Sequence, residues 1–294
     1  MQARAKSVYE NCTVLDIDGN MLFRASRKRL DWYLSRNLAT EINDTTIQLS
    51  FVNKGTGRST EPFYLQDMQN ICVVCGTADG LTMHHVVPHQ YRQHMGTAIK
   101  SHSSFDLLPV CMRCHDQYER HATAFKKHLE QCFQAPLEGR GWIDRRDIHQ
   151  GARAAAALLS PHVAKIPEER RAELRQTAQA VAQARVLLFS DSAHTCIESW
   201  RNVDPERSEH REVLRELCEM EARVPGPDFK SHGEIVVGAV GGAQSSCAMC
   251  AECKAMVAGG FHALMVSWRS HFVLHARPAH LPQHWVAEYP PSGE

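Results

Sequence analysis

The chain of 294 residues carries 33 basic and 33 acidic side chains, 18 histidines and 11 cysteines, and 43% of it is hydrophobic. That length suits two domains, or one domain with a sizeable appendage, and is ample to bury a core. Formal neutrality excludes histone-like or acidic-tail behaviour but leaves a local nucleic-acid patch open, while 22% charge with Leu, Val and Phe spread throughout excludes wholesale disorder. No stretch approaches the roughly 20 apolar residues of a membrane span, so no membrane partner is expected. The polar opening MQARAKSVYE reads without a secretory signal. An odd cysteine count with C-x-x-C pairs then points to metal thiolates in a reducing intracellular compartment rather than disulfides.

An α+β protein is expected, in three regions. Residues 1–62 read as a small hairpin-plus-helix module, in which CTVLDIDGNMLFRAS alternates across an Asp18-Gly19 turn. RKRLDWYLSRNLATEI places Leu30, Trp32, Tyr33, Leu34 and Leu38 at helical spacing and leads into a strand, TTIQLSFV; residues 50–62 read as a loop. Residues 63–140 hold the motif-grade information and close with a helix through FKKHLEQCF, stopped by Pro136. Residues 141–294 read as a mainly helical C-terminal region. Pro161 and Pro167 break two Ala- and Arg-rich helices, and Asp204-Pro205 opens a third. PGPDFKSHG reads as a linker, EIVVGAV as a short strand, and residues 251–276 as a last apolar helix before Pro278, with Trp268, Phe272, Leu281 and Trp285 packing it and its tail onto the core.

Cys72-Val-Val-Cys75-Gly76 and Cys111-Met-Arg-Cys114 are two knuckles whose four thiolates suit a closed, structural tetrahedral Zn2+ site. Gly76 permits the tight turn a knuckle makes. Between them lies MHHVVPHQYRQHM. His84 and His85 sit side by side in a strand-like run, so one can bind a metal while its neighbour meets a water or substrate on the other face. His115 opens the helix after the second knuckle, where free N–H groups and the helix dipole favour an anion such as phosphate. A metal clamp of strand and helix, beside a neutral histidine able to deprotonate water, is the equipment of one-metal phosphodiester hydrolysis. An imidazole pKa near 6.5 suits the base role at neutral pH.

These residues resemble the HNH (ββα-metal) nuclease signature, whose letters fall on His85, Asp106 and His115. The resemblance implies His84 and His115 as ligands of a catalytic Mg2+ or Mn2+, His85 as general base, and Asp106 in the place usually held by an orienting Asn. The Asp adds negative charge near a phosphate. A wider stretch, residues 8–160 and 265–286, resembles the C-terminal half of the family of exonuclease 3′–5′ domain-containing protein 2. That family's exonuclease domain lies N-terminal to this region and 294 residues leave no room for it, so exonuclease activity is not carried over. A nucleus or mitochondrion setting and a partner exonuclease acting in trans follow from the resemblance as expectations. A catalytically silent zinc-containing module that binds nucleic acid or protein stands as the alternative.

Arg92 is a candidate phosphate contact, equally readable as a solvated loop face. Arg27, Lys28, Arg29 and Arg36, interleaved with Trp32 and Tyr33, form a candidate nucleic-acid patch. Glu119, one turn past His115, reads more readily as a surface carboxylate than as a ligand. His102, His121 and His128 read as solvated or core histidines. Cys247, Cys250 and Cys253, with His262 downstream, suit zinc or an iron–sulfur cluster but lack a clear fourth ligand, and read first as helix-surface or core cysteines.

Overall fold

The computed structural model describes residues 7–55, 59–96, 104–188, 208–242 and 250–289. His102, Asp204, Pro205 and Cys247 lie outside them. The protein is a mixed α+β structure with about 49% helix and small sheets. It divides into two compact units, residues 1–138 with 231–294 and residues 139–230, so the region 141–294 is split and its last part returns to the first unit.

In the first unit β1 (Cys12–Leu15) and β2 (Met21–Ala25) form the expected antiparallel hairpin. The Asp16 carboxylate accepts the N–H groups of Asp18 and Asn20, and Gly19 takes the left-handed φ of +86° that closes the turn. Helix α1 (Arg27–Leu34) is shorter than its apolar spacing predicts. Asn37 enters the left-handed region and the Leu38 N–H bonds back to the Tyr33 carbonyl, which ends the helix. Residues expected to continue it form β3 (Ala39–Asn43), paired with β4 (Thr46–Leu49) in a sheet of order β2-β1-β4-β3. Val14, Leu22, Leu30, Ile47 and Leu49 make its small core.

After a short helix α2 (Pro62–Leu65), β5 (Leu81–His85) pairs antiparallel with β6 (Leu107–Cys111), and α4 (Met112–Phe133) follows β6 without a loop. The single turn α3 (His89–Arg92) lies between the two strands in sequence. Helix α4 buries Cys114, His115, Tyr118, Ala122, Phe125, Leu129 and Phe133, a stripe at three- and four-residue spacing. It ends where Gln134 turns left-handed, two residues before Pro136.

The second unit pairs β7 (Arg140–Asp144) with β8 (Arg223–Lys230) and packs helices α5 (Arg146–Leu159), α6 (Glu168–Leu188) and α7 (Ser208–Glu219). Small side chains bring them close: a Cβ on Gly151 would lie 2.7 Å from Val181 Cγ2. The expected linker PGPDFKSHG therefore lies largely in a strand. Prolines fit there because a two-stranded sheet is all edge.

The chain then re-enters the first unit as α8 (His232–Gly241), where a strand was expected. Ser231 caps it by accepting the Glu234 N–H, and a short apolar run without strand alternation is ambiguous until such a cap is seen. A Cβ on Gly233 would sit 1.9 Å from the Gln90 carbonyl oxygen, so α8 presses backbone to backbone on α3. The last expected helix is two, α9 (Ala251–Ala258) and α10 (Gly260–Ala276), broken where Gly260 takes a φ of +62°. Trp268, Phe272 and Trp285 are buried in the core that α4, α8, α9 and α10 share. No described helix is long and apolar enough to cross a membrane.

Candidate functional site

The two knuckles meet. Sγ atoms of Cys72, Cys75, Cys111 and Cys114 all lie within 4.8 Å of one another, with Cys75 and Cys111 at 3.8 Å. A tetrahedron with Zn–S near 2.3 Å has S···S edges of about 3.8 Å, so the donor set fits zinc. Local sequence builds the first knuckle: the Gly76 N–H bonds to the Cys72 carbonyl, and Gly76 has a φ of +77° with the His280 ring where a Cβ would stand. A backbone N–H from Thr77 pulls the Cys75 thiol down to about 7, whereas burial raises Cys72 and Cys114. The Val73 N–H donates to the Pro109 carbonyl, which ties the knuckle to β6.

Strand β5 turns His84 inward and His85 outward, as alternation requires. His84 Nδ1 lies 3.0 Å from His115 Nε2, and Glu119 Oε1 lies 3.8 and 3.6 Å from those two atoms. The Thr82 hydroxyl donates to the Val110 carbonyl at 2.7 Å and lies 2.7 Å from His115 Nδ1. Its hydrogen is committed, so His115 carries its proton on Nδ1 and turns the Nε2 lone pair toward His84 and Glu119. Burial, followed by the neighbouring His115, lowers His84 to about 3. Two imidazoles and a carboxylate thus converge, a donor set suited to a divalent cation. Phe272 of α10 stacks on the His84 ring at 5.4 Å and Tyr118 meets its edge.

His85 Nδ1 accepts from Arg92 Nη2 at 2.5 Å. Burial first and the Arg92 charge second lower His85 to about 4, so it is neutral at pH 7. Arg92 is 5% exposed, and its Nε is buried without a partner. This overturns the solvated-loop reading of Arg92. The Asp106 carboxylate is buried and held by Arg269 through Nε–Oδ1 at 2.7 Å and Nη2–Oδ2 at 3.1 Å, and its charge acts on Arg92, the partner of His85. Its main-chain carbonyl accepts the Val86 N–H right after the histidine pair.

The structure gathers His84, His85, His115 and Arg92, brings to them Glu119, which read first as a surface carboxylate, and adds Thr82. Glu119 was signalled by its four-residue step from His115, which looks the same in any solvated helix; Thr82 had no signal at all. Arg27 is engaged by Asp31 and Glu41 and Arg29 lies over Phe23, while Lys28 is exposed. Arg36 lies over the Trp32 ring, which meets Tyr33 edge to face.

No family model matches the chain and no solved structure matches it. Among curated proteins, Exonuclease 3′-5′ domain-containing protein 2 of Homo sapiens is 29% identical over 98% of this chain and 41% of its own length. The protein of the same name from Drosophila melanogaster is 31% identical over 96% of this chain and 43% of its own length. Protein RRP6-like 3 of Arabidopsis thaliana is 32% identical over 63% of this chain and 23% of its own length. The resemblance expected over residues 8–160 and 265–286 therefore runs through nearly the whole chain, which spans about two fifths of the length of the first relatives it matches.

Proposed function

We propose that this chain is a divalent-metal-dependent nuclease of the HNH (ββα-metal) type, hydrolysing internal phosphodiester bonds of nucleic acid, with a structural zinc on Cys72, Cys75, Cys111 and Cys114. The convergence of His84, His115 and Glu119 beside a neutral His85 carries this reading, and the name that the Homo sapiens and Drosophila melanogaster relatives share, which contains the word exonuclease, agrees with nucleic-acid chemistry. A divalent ion at His84, His115 and Glu119 would stabilise charge developing on the scissile phosphate and the leaving oxygen.

The chain's own residues do the rest. Thr82 holds His115 in one tautomer, and Phe272 and Tyr118 wall the His84 ring from water. His85 removes the proton from the attacking water at Nδ1. For that, Arg92 must leave Nδ1 and turn to the phosphate, which frees the base and places a cation on the substrate in one movement. With the guanidinium withdrawn, the second of the causes that lower His85 is removed, while burial, the first, remains.

The test is cleavage of labelled single- and double-stranded DNA and RNA in EDTA, Mg2+ or Mn2+ by wild type, His85→Ala and His84→Ala. Metal-dependent internal cuts should fall about 10²–10⁴-fold in His85→Ala at unchanged fold. No cutting by the folded, zinc-loaded protein on any substrate would end the stand-alone enzyme reading. One observation favours a second reading: Arg92 occupies the base nitrogen and Asp106 is spent on Arg269, as in a silent module that retains the zinc frame. That module would bind nucleic acid or protein and never cut. A chain that works with a separate exonuclease would nick only when that exonuclease is added.

A further inference from the structure

Far from the histidine pair, at the other end of α4, a second set of soft donors comes together. His128 and Cys132 lie one turn apart on that helix, and Cys250-Ala-Glu-Cys253 forms the start of α9. His128 Nε2 lies 3.7 Å from Cys132 Sγ, 3.6 Å from Cys250 Sγ and 3.7 Å from Cys253 Sγ, and Cys132 and Cys250 are 3.4 Å apart. All four donor atoms fall within 4.8 Å of one another. With Zn–S near 2.3 Å and Zn–N near 2.0–2.1 Å, a tetrahedron has S···N edges of about 3.6 Å and S···S edges of about 3.8 Å. The three S···N separations match their edge, and the Cys132–Cys250 separation falls about 0.4 Å inside its own.

The backbone adds the knuckle's mark. The Cys253 N–H points at Cys250 Sγ at 3.4 Å, and the exposed Cys250 serves as the N-cap of α9. Cys253 is fully buried. Neither Cys247 nor His262 is needed. His128, expected to be an ordinary core or solvated histidine, and Cys132 supply the donors that the Cys250–Cys253 pair lacks.

We propose that His128, Cys132, Cys250 and Cys253 form a second, closed zinc site of Cys3His type that fastens α9 to the C-terminal end of α4. Helix α10, which follows α9 across Gly259-Gly260, carries both Phe272 against His84 and Arg269 against Asp106. The site is thus a clasp that positions those residues, and it stands whether or not the chain cuts nucleic acid. Four donors complete the shell, leaving no position for a reacting water.

The experiment is metal analysis of the reduced full chain, refilled with Zn2+ and freed of excess. Cys250→Ser/Cys253→Ser should hold about one Zn2+ fewer than wild type, and Cys218→Ser, outside both clusters, should hold the same. Because the double variant could lose zinc by unfolding, two further readouts use folded protein. His128→Cys should keep the full zinc content, and its Co2+ form should shift its visible bands toward those of a tetrathiolate site, whereas His128→Ala should lose one ion. In wild type, Cys250 should resist alkylation until a chelator strips the metal. Equal zinc in wild type and the double variant, a Co2+ spectrum unmoved by His128→Cys, or Cys250 alkylated at the same rate with and without chelator would overturn the proposal. So would a Cys132–Cys250 disulfide recovered from protein prepared without reductant and retaining its zinc.

Discussion

Substituting Asp106 by Asn separates two accounts of this residue, because Asn is what the HNH resemblance expects there. If the side chain's job were to orient His85, Asp106→Asn would leave folding alone and change turnover. The structure commits the carboxylate to Arg269: both members of the pair are 1% exposed, and Arg269 also donates to the carbonyls of Ala287 and Tyr289. Asn keeps the shape but strands a buried guanidinium opposite a neutral amide. Removing one partner of a buried ion pair costs about 3–5 kcal/mol. At roughly 2–4 °C per kcal/mol for a unit of about 200 residues, the midpoint should fall on the order of 10 °C. Arg269→Met should cost about as much, by leaving the carboxylate uncompensated. Asp106→Asn/Arg269→Met removes both charges, so its loss should fall short of the sum of the singles by about 2 kcal/mol or more. Urea titration of the three variants measures this directly. A single variant within about 0.5 kcal/mol of wild type, or strictly additive singles, would refute the structural account of the pair.

Thr82→Val removes the acceptor that sets the His115 tautomer at little change in shape; Mn2+ affinity, measured by calorimetry, should fall about 10–100-fold, and an unchanged affinity would remove Thr82 from the site. Gly233→Ala forces a Cβ into the Gln90 carbonyl and should destabilise the first unit by about 3 kcal/mol, at the upper end of overpacking effects; a stability equal to wild type in denaturant would contradict the packing of α8 on α3. Burial, then His275 and His121, lowers His271 to about 4, whereas the unfolded chain takes up the proton near 6.5. Between those values the unfolded state binds more protons, so stability is lost as pH falls from about 6.5 to 4. His271→Asn should flatten that slope, and identical slopes for variant and wild type would exclude His271 as its source.

What could be read without a structure was local in the chain. Each knuckle is a C-x-x-C pair, the hairpin turn is set by Asp16 and Gly19, and the stripe on α4 repeats at helical spacing; their physics spans a few residues. Misreadings arose where a local pattern was ambiguous. The apolar run in α8 waited on the Ser231 cap, and the proline- and glycine-containing run in β8 became a strand because β7 supplied an edge to pair with. Tertiary structure alone decided the chemistry of side chains whose partners are remote in sequence. Asp106 meets Arg269 across 163 positions and Cys132 meets Cys250 across 118. No periodicity records such meetings, since they follow from how the buried faces of α4, α9 and α10 pack together. Sequence by itself determined which residues can bind metal; the packing of those helices decided which of them meet.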